Sequence, residues 1–214
     1  MSELSGRRPL ASRQWQFSQR AAAWLAAHGA TPNGISVAGM VLGVGAGLAF
    51  WQTSRTATVW AWWLAGAAGV QLRLLCNLLD GMVAIEGGKR SPVGELYNEI
   101  PDRLSDAATL VGLGYAAGSV PVLGWLATAV ALFLAYVRAA GVVAGAQQAF
   151  HGPMAKPHRM AAVTLAALVA TAAPLAWHVP VVALGAIIAG GAVTAPRRLA
   201  AIARDLHTRP DAPL

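Results

Sequence analysis

Residues 33–50 read NGISVAGMVLGVGAGLAF, eighteen positions without a charged side chain. A helix needs about 20 mostly apolar residues to cross a bilayer, so this run predicts a membrane span. Thr31-Pro32-Asn33 stands before it and breaks any helix arriving from the N-terminal side. Five further segments of similar character follow, at 56–85, 94–118, 121–150, 158–177 and 179–197. The connections are short, no sequence repeat is visible, and no compact apolar core with a cleavage site occurs in the first thirty residues. The expected architecture is all-α: a polytopic membrane protein with six transmembrane helices and an N-terminal interfacial helix. It divides into an N-terminal segment, 1–32, a six-helix membrane domain, 33–200, and a cytoplasmic tail, 201–214.

Composition agrees with this reading. Of 214 residues, 56% are apolar and 12% are charged, about half the charged share of an ordinary soluble domain. Mean hydropathy is +0.52. Disorder is excluded, because it requires low hydrophobicity and high charge. A soluble surface would lack polar side chains to cover it. The single cysteine, Cys76, excludes an intramolecular disulfide framework and any multi-cysteine metal site. It reads as packing rather than as a nucleophile.

Sixteen basic against nine acidic residues give a net charge of +7. Twelve of the sixteen fall on one side of the predicted spans: Arg7, Arg8, Arg13, Arg20, Lys89, Arg90, Lys156, Arg159, Arg197, Arg198, Arg204 and Arg209. The opposite loops hold Arg55. The positive-inside rule then puts both termini in the cytoplasm. Trp51, Trp60, Trp62, Trp63 and Trp177 fall near the predicted outer ends, where an aromatic belt belongs. The basic excess is topology, and no nucleic-acid partner is expected. Residues 12–28 mix Trp15, Phe17, Trp24 and Leu25 with Arg13, Gln16 and Arg20, as an interfacial helix does. Gly39, Gly43 and Gly47, and again Gly141 and Gly145, have the spacing of close helix packing. The five histidines show no ligand spacing.

The acidic residues are placed differently. Asp80, Glu86, Glu95, Glu99, Asp102 and Asp106 crowd into 80–106. Ionisable groups inside membrane helices are costly unless they face a cavity, a partner or an ion. Asn77, Asp80, Gly81 and Ala84 share one face of the second span. Gly94, Asn98, Asp102 and Asp106 share a face of the third. Two adjacent antiparallel helices would then offer oxygen ligands to each other near the cytoplasmic boundary. Two carboxylates and two carboxamides suit a hard cation, Mg²⁺ or Mn²⁺, with Ca²⁺ a further option. Mg²⁺ fills its open positions with phosphate oxygens, so a pyrophosphate substrate is expected. Gly81 and Gly94 would let such a ligand approach the backbone.

Asn77-Leu-Leu-Asp80-Gly81-Met-Val-Ala84, followed after Ile85 and eight residues by Gly94-x-x-x-Asn98-x-x-x-Asp102, resembles the signature of the CDP-alcohol phosphotransferase (CDP-alcohol phosphatidyltransferase) family. That signature is D-x2-D-G-x2-A-R-x8-G-x3-D-x3-D. Thr31-Pro32-Asn33-Gly34-Ile35-Ser36 is similar to the T-P-N-x-I-[ST] run that opens the first span in many members. Asn77 and Asn98 replace the first and third aspartates, and Ile85 replaces the arginine, as in a divergent bacterial branch. Asn keeps a carbonyl oxygen but brings no charge. The ligand charge is halved relative to the four aspartates that commonly hold two metals in the family, so one ion or two is open, with Glu99 a further ligand candidate.

The resemblance implies transfer of a phosphatidyl group from a CDP-linked donor, CDP-diacylglycerol by default, to an alcohol acceptor, with release of CMP, in phospholipid synthesis. It implies Asn77, Asp80, Asn98 and Asp102 as metal ligands and Asp102 as general base, with Asp106 as an alternative base. Gly81, Ala84, Gly94 and Asn33 fall at the donor nucleotide. Arg73, one turn before Asn77, reads as a donor contact or as a partner of the acids. Arg138 lies inside the fourth span, and Gly152-Pro-Met-Ala-Lys156-Pro-His-Arg159 matches a G-x-x-x-K-x-x-R feature of the divergent branch. Arg138, Lys156 and Arg159 are the candidates for holding an acceptor or its phosphate. Arg103 reads as a structural ion pair. The implied assembly is a homodimer in the lipid bilayer. The competing readings are a catalytically silent relative acting as a scaffold for other lipid enzymes, and a transporter. The transporter reading lacks an inverted repeat.

Overall fold

The computed structural model describes residues 16–86, 93–150, 152–172 and 178–208. The predictions at 1–15, Lys89, Arg90, His151, Trp177 and Arg209 fall outside them. The described residues form seven helices: α1 (Gln16–Ala27), α2 (Pro32–Gln52), α3 (Val59–Glu86), α4 (Gly94–Gly114), α5 (Pro121–Val143), α6 (Lys156–Ala172) and α7 (Val179–His207). Four of them, α2, α3, α5 and α7, are long and apolar enough to cross a membrane. α6 has 17 residues, and α4 carries Glu95, Glu99, Asp102, Arg103 and Asp106.

Local chemistry sets the boundaries. Thr31 caps α2, its side-chain oxygen accepting the Gly34 N–H at 3.1 Å, with Pro32 in the first turn. Prolines also open α5 and α7. α5 ends at Val143, seven residues short of the expected limit. Gly145 there has φ +93°, its N–H bonds the Val142 carbonyl, and the Ala146 N–H bonds the Gly141 carbonyl. This is a Schellman stop, which needs a residue in the left-handed region. Gly145 therefore ends a helix, whereas Gly141 packs against Ile202 as its spacing suggests. α7 runs ten residues past its predicted end, to His207.

α2 packs against both α3 and α4, α3 against α6, α6 against α7, α7 against α5, and α5 against α4. The six helices close into a ring, with α1 outside against α3. Besides their shared packing on α2, α3 and α4 are linked directly, by Arg73 of α3 through Asp102 and Asp106 of α4. Small residues on α2 allow its close approach. A side chain at Gly43 would strike Ser105, and one at Gly47 would strike the Ala108 carbonyl oxygen. The Thr109 hydroxyl donates to the Gly43 carbonyl at 3.2 Å across the same contact. In lipid such close packing, rather than expulsion of water, holds helices together. Gly47→Val is expected to lower stability by about 1–3 kcal/mol. Thermal unfolding of the purified protein in detergent reads this, and an unchanged midpoint would contradict the close α2–α4 contact.

All six ring helices send side chains inward, among them Phe50, Trp63, Leu110, Ala131, Met160 and Leu184. Trp63 is fully buried, with its ring 5.6 Å from that of Phe50. It belongs to the core and not to the aromatic belt. Trp51, Trp60 and Trp62 are exposed as a belt requires, and Arg55 lies over the Trp51 ring at 4.0 Å. On α1, Ala22 packs against Leu78, Leu79 and Met82 at the end of α3, while Phe17 and Trp24 face outward.

Candidate active site

The apolar interior gives way to a charged cluster where α3, α4 and α6 meet. Arg73 of α3 is fully buried and reaches across to α4. Its Nη2 lies 2.6 Å from Asp106 Oδ1 and 3.3 Å from Asp102 Oδ1, and donates to the Asp102 carbonyl at 3.1 Å. Its Nη1 donates to the Met160 sulfur at 3.3 Å. Arg159 of α6 donates to Asp106 Oδ2 at 2.8 Å and to the Met154 carbonyl at 3.2 Å. Lys156, the first residue of α6, donates to Asp102 Oδ2. A turn nearer the start of α4, Glu99 accepts from Arg103 at 2.6 Å and from Arg138 of α5. The Arg138 guanidinium sits 5.7 Å above the Phe150 ring. Five cationic side chains thus reach three carboxylates on α4.

Asp80 stands on the α3 side, 5% exposed, and accepts from the Ser36 hydroxyl of α2 at 2.6 Å. Asn77, one turn earlier, is half-buried, and its Nδ2 is buried without a hydrogen-bond partner. A buried amide N–H₂ without an acceptor costs about 1–3 kcal/mol, and the partner it would take is an oxygen such as one of a phosphate. Gly39 of α2 faces it: a Cβ there would sit 3.6 Å from Asn77 Oδ1 and 2.9 Å from Cys76 Cβ.

The helices therefore bring together Asn77, Asp80 and Arg73 from α3, Asp102 and Asp106 from α4, and Lys156 and Arg159 from α6. They leave others apart. Asn98 is exposed. Glu99 is engaged by two arginines, which does not favour it as a further metal ligand. Asp106 is 1% exposed and enclosed by Arg73 and Arg159, which does not suit an alternative base. Arg73 itself is the partner of the acids. Arg103 forms the structural ion pair expected of it. Asn33, Ala84 and Gly94 are half-buried at the ends of α2, α3 and α4. Ser36 and Met160 were not foreseen. The signal for Ser36 was its register, because it precedes Gly39 and Gly43 on the buried stripe of α2.

The donor set bears on the implied metal. Among the described residues no three His, Cys, Asp or Glu side chains converge closely enough to hold an ion by themselves. Asp80 and Asn77, one turn apart on α3, offer a carboxylate and a carboxamide of the kind that suit one hard cation. The Asp102 side already carries the Lys156 ammonium and the Arg73 guanidinium, and its partner position is the neutral, exposed Asn98. The residues fit one divalent ion and do not fit a second.

The family model described as CDP-alcohol phosphatidyltransferase matches residues 29–195. Solved structures of Mycobacterium tuberculosis phosphatidylinositol phosphate synthase share the fold. The form in complex with manganese and citrate is 22% identical, covers 91% of each chain and has a TM-score of 0.74. The form with CDP-DAG bound is 21% identical, covers 88% of this chain and 94% of that one, and has a TM-score of 0.73. The apo form is 22% identical, with 86% and 94% covered and a TM-score of 0.70. No curated protein matches the chain.

Proposed function

Because the chain belongs to the CDP-alcohol phosphatidyltransferase family, we propose that it transfers a phosphatidyl group from CDP-diacylglycerol to an alcohol, releasing CMP, in phospholipid synthesis. The observation that carries this reading is the convergence on Asp102 of α4 of Arg73 from α3 and Lys156 from α6, with Asp80 on the same helix as Arg73. Cations and carboxylates in one cleft suit a pyrophosphate donor and a hydroxyl acceptor together. The likeness to a synthase crystallised with CDP-DAG supports the choice of donor.

In this reading the donor's pyrophosphate enters between α3 and α4 beside Gly81. Lys156 and Arg73 bind Asp102 and fix its orientation. Asp102 accepts the alcohol proton as the alcohol oxygen bonds to the lipid-side phosphorus and the bond to the CMP oxygen breaks. A Mg²⁺ or Mn²⁺ ion held by Asp80 and Asn77 would neutralise charge on the pyrophosphate. Arg138, partly exposed beside Glu99, is the remaining contact for an acceptor that carries a phosphate, whereas Arg159 is buried on Asp106.

The family and the four apolar helices make the chain an integral membrane protein. Within the proposal, α4 and α6 join them as the third and fifth of six spans, their charged ends meeting at the cytoplasmic boundary of a bacterial inner membrane. α1 lies at the interface, supported by its outward Phe17 and Trp24. The membrane domain covers 33–200 with both termini cytoplasmic, and the assembly is a homodimer.

Purified protein given labelled CDP-diacylglycerol, Mg²⁺ or Mn²⁺ and a panel of phosphorylated and plain alcohols is expected to release CMP, and a chelator to suppress the release. Silence with every alcohol, beside an active relative in the same assay, would favour the scaffold reading. Asn77 and Asn98 are the observation behind that alternative.

A further inference from the structure

The site has few negative charges and several built-in positive ones. Asp80 and Asp102 are the two carboxylates among the four motif positions, and Asn77 and Asn98 add none. Lys156 differs from the cations around it. Arg73 and Arg159 are buried and tied to Asp106, with Arg73 also reaching Asp102 Oδ1 at 3.3 Å from inside the core, and Arg103 and Arg138 are tied to Glu99. The Lys156 side chain is 23% exposed and lies on Asp102 Oδ2, at the open end of the cluster. An ammonium is a compact charge with three donors. One meets Asp102, which leaves two for the oxygens of an arriving phosphate.

The lysine is also held in place, unlike a loose loop charge. The turn before it is pinned to α7, where the Thr194 hydroxyl oxygen accepts the Met154 N–H at 3.0 Å. Arg159 binds the Met154 carbonyl from one turn inside α6. Gly152 opens the turn at φ +117°, against Thr194, where a side chain would clash. α6 therefore starts at a fixed place, and its first side chain falls on Asp102.

We infer that Lys156 is a built-in cation that takes the place of a second divalent ion at Asp102, so that the chain holds one such ion, on the Asp80–Asn77 side. Two divalent ions would add four positive charges to a site whose Asp102 is already balanced. The inference rests on the transfer reading above, and it makes the asparagines and the lysine parts of one arrangement. Neutral Asn98 is compatible with an ammonium where an aspartate would be needed to hold a metal.

The test counts ions on the full-length protein in detergent or nanodiscs, by electron paramagnetic resonance of Mn²⁺. Wild type is expected to bind one Mn²⁺ per chain, and Asn98→Asp alone to stay at one. Lys156→Gln combined with Asn98→Asp is expected to bind two, with the broadened signal of a close pair, while Lys156→Arg with Asn98→Asp stays at one. Circular dichroism and gel filtration check that each variant is folded. Two ions on wild type overturn the inference without any variant. So does a folded Lys156→Gln/Asn98→Asp protein that stays at one. CMP release separates the two levels: one Mn²⁺ bound with no release overturns the transfer reading alone, and release with two Mn²⁺ bound overturns the Lys156 assignment alone.

Discussion

Asp102→Asn is expected to reduce CMP release by about 10²–10⁴-fold, the range in which a positioned general base contributes. Asparagine preserves the shape of the side chain and keeps one oxygen for either Arg73 or Lys156, but it cannot take the alcohol proton. Asp102 is partly exposed, with 14% of its side chain accessible, so the lost charge is compensated by solvent more readily than at Asp106. The variant should therefore fold and fail in turnover, with CMP release measured beside a thermal unfolding control. Full activity would remove Asp102 from the chemistry.

Asp106→Asn should show the reverse pattern. Its carboxylate lies between two guanidiniums, Arg73 and Arg159, that are themselves buried. Removing one partner of a buried ion pair leaves uncompensated charge and costs about 3–5 kcal/mol. A marked fall in the unfolding midpoint is expected. Asp106→Leu with Arg159→Met should recover part of it, since replacing both partners with apolar groups is often near neutral. An unchanged midpoint with lost CMP release would instead make Asp106 the base.

The contrast between these neighbours, one turn apart on α4, separates what was legible from what was not. Both carboxylates stand out in an apolar sequence, and the helical repeat puts them on one face. Their surroundings come from other helices. Arg73 is 29 residues before Asp102, and Lys156 is 54 residues after it. No spacing rule links such distances. Glu99 illustrates the same limit: its charge suggested a spare ligand, and its neutralisation by Arg138 depends on how α5 lies against α4.

The helix boundaries were legible where local chemistry sets them. Thr31-Pro32 starts α2, and Pro121 starts α5. The end of α5 was misplaced because Gly145 serves equally well as a packing glycine or a helix stop, and only its φ distinguishes the two. Trp63 was misplaced because an aromatic belt is inferred from depth along a span, while inward or outward facing depends on the helix across the ring.

Composition and hydrophobic pattern determined that this chain is helical and membrane-bound, and the motif at 77–102 determined its family. These follow from short-range physics, because a span needs a run of apolar residues and a ligand motif needs a repeat of 3.6. The tertiary structure decided the rest. Glycines at 43 and 47 let α2 pack closely on α4, and Arg73 reaches from α3 to Asp102 and Asp106 of α4. Arg73 and Lys156 reach Asp102 from helices that no spacing rule links, because their approach depends on how α3, α4 and α6 meet.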